Sequence, residues 1–294
     1  MPAPLLIVVA SLLFSLMALC VKLASALYGT GEIVMYRGLV GMAVMAVLVR
    51  ARGGSLRSPV PALHFRRGAS GVASLCLWFY SLRGLPIATA MTLNYLSSVW
   101  MALLLIGGTL VARRGRVEPQ HVLAVLAGFG GVALILRPSF DSHAYVAAAA
   151  GLASGLLAAQ AYLQVQALGR AGEPELRVVF YFSLGSALAG VALTAAAGGP
   201  SAHSPRGLLL LAAIGLLAAL AQLTLTRAYN IGHTLSNAAL QYMGIVFSFG
   251  FGVWLFGDRV SAGAIVGVLL IVGAGLAASR AAPSAATPAR AGAE

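Results

Sequence analysis

The chain has 294 residues, 60% of them hydrophobic and only 9% charged; a soluble domain carries about 25% charged residues, so a soluble globular protein is excluded and a membrane protein is indicated. The net charge of +12 does not point to nucleic acid, because the basic residues cluster in short segments between apolar runs, as membrane proteins place them to fix orientation. Cys20 and Cys76 both lie inside apolar runs, which suits neither a disulfide framework nor a metal site.

A spanning helix needs about 20 mostly apolar residues. In chain order the candidates are 4–27, 32–50, 67–84, 87–111, 120–137, 143–168, 175–197, 207–229, 234–256 and 261–280. Breakers separate them: Gly29-Thr30-Gly31, Arg52-Gly53-Gly54, Gly84-Leu85-Pro86, Arg137-Pro138, Gly198-Gly199-Pro200 and Gly232. Ala24-Ser25-Ala26 resembles a signal-peptide cleavage site, but Met1–Leu5 has no Lys or Arg, so the first run is read as a retained span. The Ala/Pro/Ser-rich stretch 281–294 is expected to be a disordered cytoplasmic tail.

With the N-terminus placed inside, thirteen of the nineteen basic residues fall in inside connections or at inside span ends, Arg57, Arg66 and Arg67 between spans 2 and 3 among them. Four fall outside: Arg83, Arg137, Arg206 and Arg259. Both termini are therefore expected in the cytoplasm.

Ten spans divide into two fives. At an offset of 147, Asn94 meets Gln241, Tyr95 meets Tyr242 and Trp100 meets Phe247; near an offset of 143, Glu32 meets Glu175. A second half that follows five spans enters the membrane inverted. The charges agree: the Arg-rich connection between spans 2 and 3 corresponds to one holding only Arg206. The reading is an all-α integral membrane protein of ten transmembrane helices in two inverted five-helix repeats, residues 1–140 and 141–280. Such repeats characterise transporters, with the substrate site near the midplane between the halves.

Three stretches carry a resemblance to a known family: Val21-Lys22 followed by Glu32 and Tyr36-Arg37-Gly38; WFYSLRGLPIATAMTLNYLSSVWMALL at 78–104; and LFGDRVSAGAIVGVLLIVGAGL at 255–276. With the ten-span layout, the chain resembles the EamA-type branch of the drug/metabolite transporter superfamily over about residues 5–279. The resemblance implies a secondary transporter of a bacterial inner membrane that exports small metabolites or drugs. One departure stands out. The family often has Pro in the middle of its fourth and ninth spans, where this chain has Asn94-Tyr95 and Gln241-Tyr242.

No catalytic constellation is visible, and no enzyme activity, cofactor or metal is expected. The seven acidic residues lie at span ends or beyond, and the five His are scattered. Lys22, Glu32 and Arg37 are the candidates for an ion or charge relay, through a Glu32–Arg37 or Glu32–Lys22 pair. The alternative is structural: Lys22 snorkels to the interface and Glu32 caps a helix.

Polar uncharged and aromatic side chains are better represented at midspan. Trp78, Tyr80, Asn94, Tyr95, Gln160, Gln164, Gln222, Asn237, Gln241 and Tyr242 are the candidate substrate-binding residues. Each amide could equally serve as interhelical glue. A cavity lined by them is expected to be neutral, amphipathic and aromatic, suited to amino acids, flat metabolites or lipophilic drugs. A nucleotide-sugar or sugar-phosphate exchanger needs Lys or Arg in the cavity, for which only Lys22 and Arg37 qualify. A lipid-acting scramblase or enzyme is the remaining alternative. The partners expected are a small-molecule substrate and the lipid bilayer, with no nucleic acid. Gly faces such as Gly151/Gly155 and Gly263/Gly267 serve packing within the bundle or a homodimer contact.

Overall fold

The computed structural model describes residues 1–85, 90, 93–112, 119–136, 145–256 and 261–281. The 281–294 tail beyond Ala281, the Gly257-Asp258-Arg259 turn and the charges at Arg113, Arg114, Arg116, Glu118, Arg137 and Asp141 lie outside the described residues. Among the described residues every regular element is a helix.

In chain order these are α1 Ala3–Ala24, α2 Thr30–Ala51, α3 Pro61–Gly84, α4 Ser97–Ala112, α5 Pro119–Leu136, α6 Tyr145–Arg170, α7 Glu175–Ala196, α8 Pro205–Ile231, α9 Thr234–Gln241, α10 Met243–Phe256 and α11 Ala262–Ala281. Five of them, α1, α2, α6, α7 and α8, are each long and apolar enough to cross a bilayer. Together with α3 and the shorter helices α4, α5, α9, α10 and α11 they cover the ten apolar runs, with α9 and α10 sharing one.

Lipid offers no hydrogen bonds, so a spanning segment must satisfy its own backbone, and helices do this internally. Two spans depart from the rule. The fourth is interrupted at Leu96, ahead of α4. The ninth is interrupted at Tyr242, where the N–H turns back to the Ala239 carbonyl at 3.3 Å. Neither break uses Pro; the first directly follows Asn94-Tyr95 and the second falls at Tyr242 of the Gln241-Tyr242 pair. The second break is served by hydroxyls from other helices. Ser11 and Ser15 of α1 donate to the carbonyls of Gln241 and Gly244 at 3.4 and 2.8 Å, and Ser98 of α4 donates to Ala238 at 2.9 Å.

The principal helix pairs are α2 with α7, α3 with α6, α1 with α8 and α5 with α11. All four are antiparallel. Along α2–α7, Gly31 faces Leu193 and Thr194, Gly38 faces Ala187, and Gly41 faces Ser183. Along α5–α11, Gly131 faces Leu270 and Gly128 faces Ala274. Gly84 and Ser74 of α3 meet Ala147 and Ser154 of α6, and Tyr28 and Ala3, flanking and opening α1, meet Gly207 and Gly232 at the two ends of α8.

Lipid tails are as apolar as Leu, so these pairings draw on close van der Waals packing rather than on water exclusion. That is the role of the small residues. Gly151 and Gly155 of α6 take Leu93 and its backbone, which assigns this GxxxG to packing inside the bundle.

The third span begins earlier than expected. Pro61 opens α3 and the helix runs through His64, Arg66 and Arg67. The polar run reads as a loop in the sequence, but it is the first two turns of a helix whose N–H groups need no partner at Pro61. Arg67 is therefore not a loop charge; it is buried in the bundle.

A β-carbon on Gly38 or Gly190 would strike the backbone of Ala187 or Met35. Gly38→Val and Gly190→Val are each expected to destabilise the detergent-solubilised protein by about 1–3 kcal/mol or more, read as a fall in melting temperature. Gly107→Val, with open space around it, is expected to leave the melting temperature unchanged.

Candidate functional site

A cavity of about 110 Å³ lies in the middle of the bundle. Its walls come from both halves of the chain: α1, α2, α3 and the fourth span on one side, α6, α7, α8 and α9 on the other. Asn94, Tyr95 and Ser97 from the first break and Gln241 from the second all line it. The interruptions of two helices thus bring polar side chains to one space.

Of the ten candidate substrate-binding residues, Trp78, Asn94, Tyr95, Gln222 and Gln241 face this cavity. Asn94 also donates to Ser154 Oγ at 3.1 Å, and Gln241 to the Tyr229 hydroxyl at 3.1 Å. The remaining five are placed elsewhere. Asn237 is buried behind the wall and donates to the Ala228 carbonyl at 2.8 Å, an interhelical tie. Tyr242 is fully buried, with its ring 6.1 Å from that of Tyr95. Gln160 lies on the outer surface and Gln164 is half-buried away from the cavity. The i,i+4 spacing of this pair defines a helix face without saying which way the face points. Tyr80, half exposed, lines a separate recess with Glu32 and Cys76.

The expected neutral lining is overturned. Arg37 and Arg67 both line the cavity, only 4% and 3% exposed. Their guanidinium carbons sit 5.1 and 4.2 Å from the centre of the same Phe182 ring. Arg67 lies across Gly71, where a β-carbon would collide with its Nη1. Sequence reasoning missed it because an Arg at a span boundary is ordinarily an interfacial anchor. The nearby Gly, one turn on, was the only available signal.

The two candidate partners of Glu32 give way to a third. Glu32 pairs with neither Arg37 nor Lys22; its carboxylate lies 3.2 Å from Nε2 of His203 and accepts the Ser201 N–H at 3.3 Å. Tyr36 holds the same His203 nitrogen at 2.9 Å. Lys22 is exposed at the end of α1. The start of α2 is thus tied to the α7–α8 connection.

A second cluster matches it. His64 Nε2 lies 3.0 Å from Oε2 of Glu173, which also accepts from Ser58 at 2.9 Å and from Arg177 at 3.1 Å. Arg177 further donates to the Ser55 carbonyl, and Tyr181 donates to Leu56. The start of α7 is thus tied to the α2–α3 connection. Tyr36 and Tyr181 stand at the same register from the starts of α2 and α7, each against its His ring at 5.4 and 4.4 Å. Two His–Glu latches, built by corresponding elements, join the first half of the chain to the second.

Burial pushes the Glu173 carboxyl up, but the hydrogen bonds from His64, Ser58 and Arg177 outweigh it and hold the group below the ordinary carboxylate range. Among the described residues no cluster of His, Cys, Asp and Glu could hold a metal ion.

The EamA-like transporter family model matches residues 1–137. The chain is 36% identical over 279 residues to the pseudopaline exporter CntI of Pseudomonas aeruginosa (strain UCBPP-PA14), covering 94% of this chain and 95% of the relative. It is 26% identical over 280 residues to an uncharacterized transporter of Helicobacter pylori (strain J99), covering 92% of each. A solved crystal structure superposes with a TM-score of 0.79 over 95% of this chain and 96% of that chain, at 23% identity, which shows a shared fold.

A carboxylate held below its ordinary range stabilises the fold fully above that range and ceases to do so as pH falls through it. The ordinary Glu value is about 4.3. The melting temperature of the solubilised protein is therefore expected to fall as pH drops from about 6 through that value. Glu173→Gln is expected to start lower at neutral pH and to flatten the dependence.

Proposed function

Because the chain belongs to the EamA-like transporter family, we propose that it exports a small amphipathic metabolite across a bacterial inner membrane, using two inverted five-helix repeats that rock about the central cavity. It is a multi-pass membrane transporter and not an enzyme.

The observation that carries this reading is a cavity walled by both halves and flanked by the two matching latches. Further support comes from the pairing of the helices. Exchanging the first five spans with the second five carries α2–α7 and α5–α11 onto themselves and α3–α6 onto α8–α1. Antiparallel packing within each pair is what inverted halves require. Alternating access needs one set of ties at each face to break in turn. With both termini cytoplasmic, His64–Glu173 would close the cytoplasmic end and His203–Glu32 the periplasmic end. Moving Arg67 from the loop charges into the bundle leaves the inside excess of Arg intact.

Export as the direction rests on the family and on the named exporter. That relative also makes pseudopaline the first compound to test here. A nucleotide-sugar or sugar-phosphate exchanger is a second reading, favoured by the two guanidiniums in the cavity.

Purified protein in liposomes is expected to exchange labelled pseudopaline, or another member of a metabolite panel, against the same unlabelled compound inside. Gln241→Ala and Asn94→Ala are expected to reduce that flux at normal membrane levels. A panel that yields no exchange, with protein correctly inserted, would refute the transporter mechanism. His203→Ala is expected to alter flux more than substrate affinity, since it touches a latch and not the cavity.

A further inference from the structure

Among the residues lining the central cavity, five buried polar atoms have no hydrogen-bond partner in the protein. They are Nε of Arg37, Nε and Nη1 of Arg67, Nε1 of Trp78 and Nε2 of Gln222. All five are donors. Buried donors without a partner favour a ligand that brings acceptors.

The charge makes the demand stronger. Among the described residues no acidic residue lines the cavity. The three acidic residues in the described part are engaged at helix ends: Glu32 with His203, Glu173 with His64 and Arg177, and Glu175 with Arg227. Among the described residues, then, neither cavity guanidinium has an anionic partner. Each rests instead against the Phe182 ring. Stacking of this kind orients a guanidinium and occupies its face, while the N–H fork along its edge stays available to a carboxylate or phosphate.

Two buried like charges over one aromatic ring cost free energy that the cation–π contact with Phe182 offsets only in part. Hydrophobic residues would fold more cheaply in both places. In a membrane-spanning bundle such groups mark the path of a substrate.

We propose that the cavity binds an amphipathic small molecule carrying two separate oxyanion groups, one held by Arg37 and one by Arg67, with its apolar body against Phe14, Leu75 and Trp78. Trp78 and Gln222 supply the remaining donors. A cationic drug is excluded by the same two charges, so the cavity selects anions from among the amphipathic compounds this family is built to move. The inference takes its site from the transporter reading, but its charge argument stands on the cavity alone.

Four probes share a phenyl body and differ in charge: phenylsuccinate with two carboxylates, 3-phenylpropionate with one, phenyl phosphate with one phosphate, and 2-phenylethylamine as a cation. Isothermal titration into the full-length protein in detergent is expected to show phenylsuccinate binding at least ~10-fold tighter than 3-phenylpropionate, consistent with one further charged contact, and no binding of 2-phenylethylamine. Arg37→Gln and Arg67→Gln are each expected to weaken phenylsuccinate by at least ~10-fold. Arg67→Gln is expected to leave the melting temperature of the unliganded protein unchanged or higher, because it removes an unpaired buried charge.

The proposal is overturned if 2-phenylethylamine binds as well as phenylsuccinate, or if phenyl phosphate binds tighter than phenylsuccinate, which would point to a single phosphate site. It is overturned equally if Arg67→Gln binds phenylsuccinate normally, or if that variant melts lower without ligand, as a structural Arg would. Should the Gln variants not fold, Arg37→Lys and Arg67→Lys keep the charge but lose the fork; wild-type affinity in both would reject the fork contact. Proteoliposomes separate the two levels. Arg-dependent phenylsuccinate binding with no flux of any compound would sink the transport reading and leave the anion site standing. Flux of a neutral or cationic compound that ignores both Arg substitutions would do the reverse.

Discussion

Every backbone group that enters the hydrocarbon of a membrane has to find its hydrogen bond within the protein. The rest of this structure depends on that constraint. A helix meets it alone and leaves no polar group over. A broken helix does not, and can persist only where neighbouring segments take up the freed carbonyls. Ser11, Ser15 and Ser98 do so around Tyr242. The break is thereby confined to the interior, and the cavity lies beside it.

The same constraint explains why helix packing here is written in small residues. Burying Leu against Leu gains little when the alternative is lipid. Close approach of backbones gains dispersion contacts that lipid cannot match, and Gly38, Gly190 and Gly131 allow it. α2 and α7 lie at the centre of this packing. They carry Arg37 and Phe182 at corresponding positions in the cavity wall, and Glu32 and Arg177 at the two latches. One close-packed helix pair therefore spans from one latch to the other, with the cavity between them.

Charge is distributed by the same logic. Among the described residues, carboxylates stay at the helix ends, where His, Arg and backbone N–H groups meet them. The two guanidiniums alone sit deep among the cavity residues. With the described acids at the rim and these two cations in the centre, the described part of the cavity is positive to whatever enters. Arg is the residue that can be held there, since a flat, weakly hydrated cation can lie on an aromatic ring where an ammonium could not be desolvated as cheaply.

The ten runs, their breakers and the bias of Arg toward one side followed from hydropathy and charge alone, because crossing lipid demands about 20 apolar residues whatever the partner helices are. The resemblance to the EamA-type transporters was legible for the same reason. The helix breaks beside Asn94-Tyr95 and at Tyr242 were not read from the Asn94/Gln241 and Tyr95/Tyr242 correspondence, since neither carries the Pro that ordinarily marks one. What periodicity could not decide was the direction each helix face points once packed. Gln160 and Gln164 share a face, and that face turns away from the cavity. Asn237 spends its amide on Ala228. Arg67 reads as a loop charge until α3 is seen to start at Pro61, and His64 and His203 read as scattered until the connections fold back onto α7 and α2. The apolar character of the spans is a property of single segments measured against lipid, so the sequence determined it. The cavity's charge and the latches are properties of pairs of segments far apart in the chain, and only their packing brought those residues together.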